Sequence, residues 1–405
     1  MTTAELHENF RKIESVDVSG KRVLIRADLN VPMSGSEVTD ATRIERLLPT
    51  LRDLTSRGAK VIVLSHLGRP DGRAVPEFSL RPVAKKLAAI ASGIPVLFGE
   101  DCVGAAAEET VFKLEPGQIA VLENVRFHGG EEANDPAFAA SLAMLGDIYV
   151  NDAFSVSHRA HASTEAIAHL LPSYAGSSMM AEIDAFKLAL DRPDRPVAAI
   201  VGGSKVSTKI DMLIHLAKKM DYLIVGGGMA NTFLYAKTHA VGRSLCEPGL
   251  TGTVDAILSQ AAESGCRILL PSDAVVASEF KANAATQIVP VSHVPETMMI
   301  LDAGPRSVES FTQCLDRCKT LLWNGPIGAF EIPPFGEGTF RLAREAARLT
   351  QEGKLVSVAG GGDTVAALNA AGVTNKFTYV STAGGAFLEW LEGRTLPGVA
   401  ALARA

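Results

Sequence analysis

Short apolar runs alternate with helix-like segments along nearly the whole chain, and this alternation is the strongest constraint on its fold. Arg22–Arg26 (RVLIR), Lys60–Ser65 (KVIVLS), Ile119–Glu123 (IAVLE) and Ile148–Asn151 (IYVN) read as strands in the first half. Pro196–Val201 (PVAAIV), Tyr222–Val225 (YLIV), Arg267–Leu270 (RILL), Leu321–Trp323 (LLW), Leu355–Val358 and Phe377–Val380 read as strands in the second. Between them lie segments such as Thr42–Arg57 and Ser207–Met220, where apolar residues recur at i, i+3, i+4, the spacing of a helix with one buried face. Strands separated by helices pair in parallel, with helices covering both faces of the sheet. About ten core strands are too many for one open sheet of ordinary size. The expected fold class is therefore α/β, with two doubly wound, Rossmann-like parallel-sheet lobes. The Pro172–Ala175 turn and a helical stretch, Met179–Leu190, mark the boundary, and Asp191–Pro196 (DRPDRP) breaks that helix. Residues 1–175 would form the first lobe, 176–192 the linking helix and 193–392 the second lobe.

Composition narrows the function classes. A chain of 405 residues with 47% hydrophobic and 21% charged residues has enough apolar content for globular cores. Its net charge of −6 argues against general nucleic-acid binding. The N-terminal stretch MTTAELHENFRK lacks the apolar core of a signal peptide, and no apolar run approaches the ~18 residues of a membrane helix. A cytoplasmic location without membrane partners is expected. Five scattered cysteines make no disulfide framework; Cys314 and Cys318, four apart on an expected helix, are read as packing residues rather than half of a zinc site.

In open α/β sheets, ligands sit beyond the C-terminal ends of the strands. In the first half these positions carry Asp28, Asn30 and Pro32 (ADLNVP), His66 and Arg69 (HLGRP), Asn124, Arg126 and His128 (ENVRFH), and His158, Arg159 and His161 (SHRAHAS), while Arg43 opens the first helix. Neighbouring parallel strands bring such groups to one rim. Arginine presents a planar fork that matches carboxylate and phosphate, and Asp28 and Asn30 can hold a hydroxyl. The rim suits a small, multiply anionic, hydroxylated acid. His128, His158 and His161 are weaker candidates individually.

In the second half five strands end in glycine-rich turns: Gly202-Gly203-Ser204-Lys205, continuing to Lys209; Gly226-Gly227-Gly228-Met229; Asn324-Gly325-Pro326-Ile327-Gly328-Ala329-Phe330-Glu331; Gly360-Gly361-Gly362-Asp363-Thr364; and Ser381-Thr382-Ala383-Gly384-Gly385. Glycine lets the backbone approach a flat or anionic ligand, and a helix start adds N–H donors and partial positive charge. Asp363 repels a bare phosphate but suits one carrying Mg²⁺. Lys205 and Lys209 are read as one helical turn apart and pointing the same way, and Glu331 as an acceptor for ribose hydroxyls. A single glycine pair is weak evidence; five on one rim point to a nucleotide. There is no G-x-x-x-x-G-K-[ST], no G-x-G-x-x-G, no protein-kinase set and no G-x-S-x-G elbow.

An anion rim and a nucleotide rim together imply phosphoryl transfer, which needs alignment and charge neutralisation more than covalent help. Lys205, Arg43 and the N–H groups around Gly361–Gly362 and Gly384–Gly385 would cradle the moving group. No general base stands out beyond the histidines. A carboxylate acceptor needs none, because it is already ionised, so acyl-phosphate chemistry is favoured over an alcohol kinase. Closure about a hinge would exclude water.

VLIRADLNVP (Val23–Pro32), HLGRP, ENVRFH, HRAHAS, KVSTKI, WNGPIGAFE, GGGDT and STAGGA, in that order, resemble the signature of the phosphoglycerate kinase family across essentially the whole chain. The resemblance implies two lobes joined by a helix like Met179–Leu190, with a tail, 393–405, packing back on the first. It implies reversible transfer between 1,3-bisphosphoglycerate and ADP, giving 3-phosphoglycerate and ATP, with Mg²⁺, in glycolysis, by a monomer. Carried over by motif, Asp28 and Asn30 would bind the glycerate hydroxyl and carboxyl end, and His66, Arg69, Arg126 and Arg159 the 3-phosphate. Arg43 would reach the reacting carboxyl. Lys205 would stabilise the transferred group, with Arg43, Gly361 and Gly384 beside it, and Lys209 would hold nucleotide phosphates. Gly227, Asn324, Pro326, Gly328, Gly360, Gly361, Gly362 and Thr364 would complete the nucleotide site, Glu331 would bind ribose, and Asp363 would hold the nucleotide-bound Mg²⁺. Ser155-Val156-Ser157, Ser204 and Ala383 depart from the family pattern beside these positions without replacing a ligand residue. The rival readings are another small-acid kinase, such as an acetate-kinase-like enzyme, and a catalytically silent nucleotide-binding regulator.

Overall fold

Among the described residues, strand hydrogen bonding forms two parallel sheets of six strands each, together with a three-stranded antiparallel sheet and a two-stranded ribbon of Met33–Ser34 against Glu37–Val38. The computed structural model describes residues 10–403; residues 1–9, with the polar start of the chain, and the last two residues of the tail lie outside that range. Contacts group residues 10–183 and 395–403 into one unit and Asp184–Arg394 into another.

The first unit contains β1 (Arg22–Arg26), β2 (Lys60–Leu64), β3 (Val96–Gly99), β4 (Ile119–Leu122), β5 (Ile148–Asn151) and β6 (Ser173–Ala175) in the order β3-β4-β2-β1-β5-β6, every pair parallel. Alternate residues point to opposite faces. Val23, Ile25, Val61, Val63, Ile119 and Val121 join Ile44, Leu47 and Leu51 of the helix Thr42–Ser56 and Val83 and Leu87 of the helix Arg81–Ile90 in one core. The residues between them, Leu24, Ile62, Ala120 and Tyr149, are fully buried as well. Burial on both faces is why these strands read as continuous apolar runs. The tail belongs to this unit: the Gly398 amide donates to the Ser157 carbonyl at 2.8 Å.

The second unit contains β7 (Val197–Val201), β8 (Tyr222–Val225), β9 (Arg267–Leu269), β10 (Asp273–Ala277), β11 (Thr286–Pro290), β12 (Met299–Ala303), β13 (Thr320–Asn324), β14 (Val356–Gly360) and β15 (Tyr379–Ser381). Its parallel sheet runs β9-β8-β7-β13-β14-β15, and β11-β10-β12 form a small antiparallel sheet. The chain leaves β7 toward β8 on one side and returns to β13 on the other. This reversal opens a crevice beyond the C-terminal ends of β7 and β13.

Several local expectations change. Ser173–Ala175, read as part of a turn, pairs in parallel with β5. The strands β3, β10, β11 and β12 are additional to those expected; β3 carries a short apolar run, Val96–Phe98, that is only half-buried, and β11 is mostly exposed. The stretch Met179–Leu190 is an α-helix over Ser177–Phe186 that widens to a π-helix over Lys187–Asp191, and the division between units falls inside it, after Ile183. Cys314 lies in the last turn of the helix Pro305–Leu315 and Cys318 lies beyond it, both buried, with the Cys318 thiol donating to the Cys314 carbonyl at 3.2 Å. Among the described residues no helix is long and apolar enough to cross a membrane.

Candidate active site

The C-terminal edge of the first sheet holds a cluster of guanidinium groups around one histidine. His66, just past β2, is almost fully buried and its pKa lies well below the usual value. Burial is the largest cause, followed by the positive charges of Arg26, Arg126, Arg43 and Arg159, so the ring is neutral. Arg26, the last residue of β1, directs a guanidinium nitrogen at His66 Nδ1 (3.2 Å) and donates through Nε to Ser163 Oγ (2.8 Å). Ser163 donates in turn to the buried carboxylate of Glu131 (2.6 Å).

Arg126 lies in the short 3₁₀ turn Val125–Phe127 after β4, capped by Asn124 Oδ1 accepting from the Arg126 amide at 3.0 Å. Its Nη1 donates to the Gly68 carbonyl at 2.8 Å, and Nε lies 3.1 Å from a Glu132 carboxylate oxygen. Its Nη2 is buried with no hydrogen-bond partner. A desolvated guanidinium corner of that kind is costly unless an anion meets it.

Arg43 donates to Asp28 Oδ2 at 2.6 Å. Ser155 Oγ donates to the same oxygen at 2.5 Å, so one of the departures from the family pattern takes part in the site. Asn30 accepts from the Gly68 amide through Oδ1 (2.9 Å) and donates its own amide to Asp28 Oδ1 (3.1 Å). Arg159 Nε contacts His158 Nε2 at 3.2 Å. His161 is pushed down to about 4, by burial first and then by Arg126, Arg26 and Arg159. The edge thus brings together Asp28, Asn30, Arg43, His66, Arg126 and Arg159. Arg69 is exposed, and His128 pairs with Asp101 instead (2.7 Å).

On the second sheet the loops after β7, β8 and β13 lock together through main chain, and the loop after β14 is tied to them through the side chains of Asn324 and Thr364. The Gly202 amide donates to the Asn324 carbonyl (2.9 Å), the Gly227 amide to the Ile327 carbonyl (2.9 Å), and the Met229 amide to the Gly203 carbonyl (3.1 Å). A Cβ on Gly202 would lie 1.9 Å from the Pro326 carbonyl oxygen, and Gly227 combines φ +66° with a Cβ position 2.7 Å from the Gly203 carbonyl oxygen. These contacts explain the glycines as much as any ligand does.

Lys209 points inward. Its ammonium donates to the Gly202 carbonyl and to Asn324 Oδ1, both at 2.6 Å. Burial lowers its pKa to about 8 against an opposing pull from Asp363. Lys205 is exposed. The two lysines flank a 3₁₀ turn, Val206–Thr208, and neither has helical backbone angles, so they are not one helical turn apart on a common face, as had been expected.

Asn324 Nδ2 donates to the Gly360 carbonyl (2.8 Å), and Thr364 Oγ1 accepts from the Gly325 amide (2.7 Å), so both tie loops together. Gly361, at φ +96°, leads into the helix Gly362–Ala370, with Asp363 exposed in its first turn; Gly384, at φ +54°, leads into the helix Gly385–Leu391. A cleft of about 530 Å³ within this unit is lined by Gly203, Gly227, Gly328, Glu331 and Asp363, with Leu245 among its apolar walls.

Four participants escaped sequence reasoning: Arg26, Glu131, Ser163 and Asp302. Asp302, buried at the end of β12, lines the cleft and accepts from the Gly338 and Ala303 amides, both at 2.8 Å. Burial raises its pKa to about 7. An arginine directly after the apolar run Val23–Ile25, at the C-terminal end of a buried strand, is the sequence signal for Arg26; the other three look like ordinary surface residues in sequence.

A family model described as phosphoglycerate kinase matches residues 13–394. The chain belongs to the phosphoglycerate kinase family. It is accordingly an enzyme, a phosphotransferase. It is 59% identical over 394 residues to the phosphoglycerate kinase of Methylobacterium radiotolerans, covering 97% of this chain and 98% of that protein. The phosphoglycerate kinase of Methylorubrum extorquens strain PA1 is 58% identical over 395 residues, covering 97% and 98%. Among solved structures, that of phosphoglycerate kinase from Coxiella burnetii matches with a TM-score of 0.90 and 41% identity over 97% of this chain and 98% of that one.

Proposed function

We propose that the protein catalyses reversible phosphoryl transfer between the acyl phosphate of 1,3-bisphosphoglycerate and ADP, giving 3-phosphoglycerate and ATP. The observation that carries this reading is the Arg126 guanidinium, buried with Nη2 unpaired, in a cluster with Arg26, Arg43 and Arg159 around a neutral histidine. Four guanidinium groups outnumber the carboxylates beside them, Asp28, Glu131 and Glu132, and one buried Arg126 nitrogen is unpaired, an arrangement that suits a small, multiply charged anion. Arg126, Arg159, His66 and Arg69 hold the 3-phosphate end; Asp28 and Asn30 hold the hydroxyl and carboxyl end; Arg43 reaches the reacting carboxyl group. The acceptor or donor oxygen is a carboxylate, so no base is needed.

The cleft of the second unit takes the nucleotide. Glu331 accepts from ribose, and the loops at Gly227, Asn324, Pro326 and Gly328 line its bed. Lys209 faces the phosphates, and Gly360, Gly361, Gly362 and Thr364 shape the phosphate loop. Asp363 suits Mg²⁺ that arrives with the nucleotide: it is a single exposed carboxylate in the first turn of a helix. Mg²⁺ characteristically keeps water and phosphate oxygens and takes only one or two carboxylates. When bound, the ion offsets phosphate charge. Lys205, Arg43 and the amides at Gly361 and Gly384 stabilise the group in flight, by direct in-line transfer after hinge closure has excluded water. The setting is glycolysis in the cytoplasm, with the protein acting as a monomer.

A coupled assay tests the reading. ATP formation from 1,3-bisphosphoglycerate and MgADP is measured beside the same reaction with acetyl phosphate. Turnover of the first and none of the second is expected. Preference for acetyl phosphate would indicate another small-acid kinase, and nucleotide binding without turnover of either would indicate a silent regulator.

A further inference from the structure

We propose that Asp101, Cys102 and His128 form a binding site for a borderline-soft divalent transition-metal ion such as Zn²⁺ or Co²⁺, separate from the groups assigned to phosphoryl transfer. One ligand atom from each residue lies within 4.8 Å of the others. Asp101 and Cys102 follow β3 and His128 follows β4, and these strands are parallel neighbours, so two loops far apart in sequence meet at one sheet edge.

The donor atoms are held in place from several directions. Asp101 Oδ1 accepts from the Cys102 amide at 2.6 Å and lies 2.7 Å from His128 Nε2. The His128 ring stacks on Phe138, with centroids 5.2 Å apart and planes at 26°. The charges that face the thiol, Asp101 and Glu131, are both negative, a field that favours a cation. Asp101 and His128 are partly exposed while Cys102 is buried, so an ion can enter from the solvent side and reach sulfur at the floor.

Bonds of about 2.0–2.3 Å to sulfur, nitrogen and oxygen place the donors of a tetrahedral ion about 3.3–3.7 Å apart, so binding requires the Asp101–His128 pair, now 2.7 Å apart, to open and the three ligand atoms, now within 4.8 Å of one another, to draw in to that spacing. A sulfur–nitrogen–oxygen set selects Zn²⁺ or Co²⁺ over Mg²⁺ or Ca²⁺. Water would fill the fourth position. Cysteine binds as thiolate, its proton passing to solvent.

The test is Co²⁺ titration of the full chain, followed by absorption. A thiolate-to-cobalt charge-transfer band that saturates at one equivalent and is erased by Zn²⁺ is expected. It should persist in Cys246→Ser, which removes the cysteine that is not buried. It should vanish in Cys102→Ser and in His128→Ala, with circular dichroism confirming the fold. His128 is partly exposed, so its variant guards against a folding defect in Cys102→Ser. Absence of the band in the unaltered protein, survival in either of those two variants, or loss in Cys246→Ser would overturn the site.

Discussion

Side chains line the edge of the first sheet, whereas main chain lines the edge of the second. Around His66 four guanidinium groups converge, some of them buried, and the ligand-facing polarity belongs to arginine forks. Around Gly202, Gly227 and Gly325 the loops join amide to carbonyl, and Lys209 spends its ammonium on a carbonyl and an amide oxygen of the same framework. On the proposed assignment of acid to the first edge and nucleotide to the second, the difference follows from ligand size. A three-carbon acid has few atoms to recognise, so specificity comes from directional charge–charge contacts that are strong when desolvated. A nucleotide offers a large surface, so a shaped cleft with close backbone approach suffices, with few charged groups near the phosphates. Substitutions should therefore separate: apart from Arg43, which is proposed to serve transfer as well, changes on the first edge alter acid binding, and changes on the second alter nucleotide binding or transfer.

The largest effect is expected from Lys205→Ala. Lys205 is exposed and carries none of the framework bonds that Lys209 makes, so its removal should leave the loops intact. If it stabilises the transferring group, kcat falls by about 10²–10³ while nucleotide affinity changes little. Stopped-flow turnover and equilibrium nucleotide binding measure the two separately; unchanged kcat would refute the role. Next in size is Arg126→Lys. The substitution keeps the charge but loses the fork and its unpaired Nη2. Loss of one charged hydrogen bond, about 1.5–3 kcal/mol, corresponds to roughly 10–100-fold weaker 3-phosphoglycerate binding. Calorimetry should show that loss with nucleotide binding unchanged, and equal weakening of both ligands would break the proposed division of labour.

Much of this contrast was legible in the sequence, because strand ends in a parallel sheet are neighbours whatever lies between them. RVLIR, KVIVLS, PVAAIV and YLIV are buried on both faces, so their apolar runs announced themselves, and the residues just after them could be read as a rim. What stayed hidden had no periodic or compositional trace. The strand Thr286–Pro290 is largely exposed. Lys209 looked like a helical partner of Lys205 until the intervening 3₁₀ turn rotated it into the framework. Glu131 and Asp302 are acidic residues buried by tertiary contacts alone, and no local pattern distinguishes them from surface carboxylates. His128 found its partner, Asp101, across two loops.

The smallest expected effect is in pH dependence, and it bears most directly on how each edge carries its charge. On the first edge His66 and His161 are neutral at physiological pH, His161 titrating near 4, and the cations are arginines. Acid affinity should therefore be flat between about pH 7 and pH 9. On the second edge Lys209 titrates near 8, so nucleotide KM should rise several-fold over the same window as the ammonium loses its proton. Lys209→Met should abolish that rise from an already weaker starting point. Unfolding would not mimic the effect through this group. The folded value lies below the ordinary 10.5, so between about pH 8 and 10.5 the unfolded chain holds more protons, and this lysine's contribution to stability grows as pH increases. A nucleotide KM that rises with pH while stability does not fall would therefore place the titration in binding; a flat nucleotide KM with a rising acid KM would reverse the comparison between the two edges.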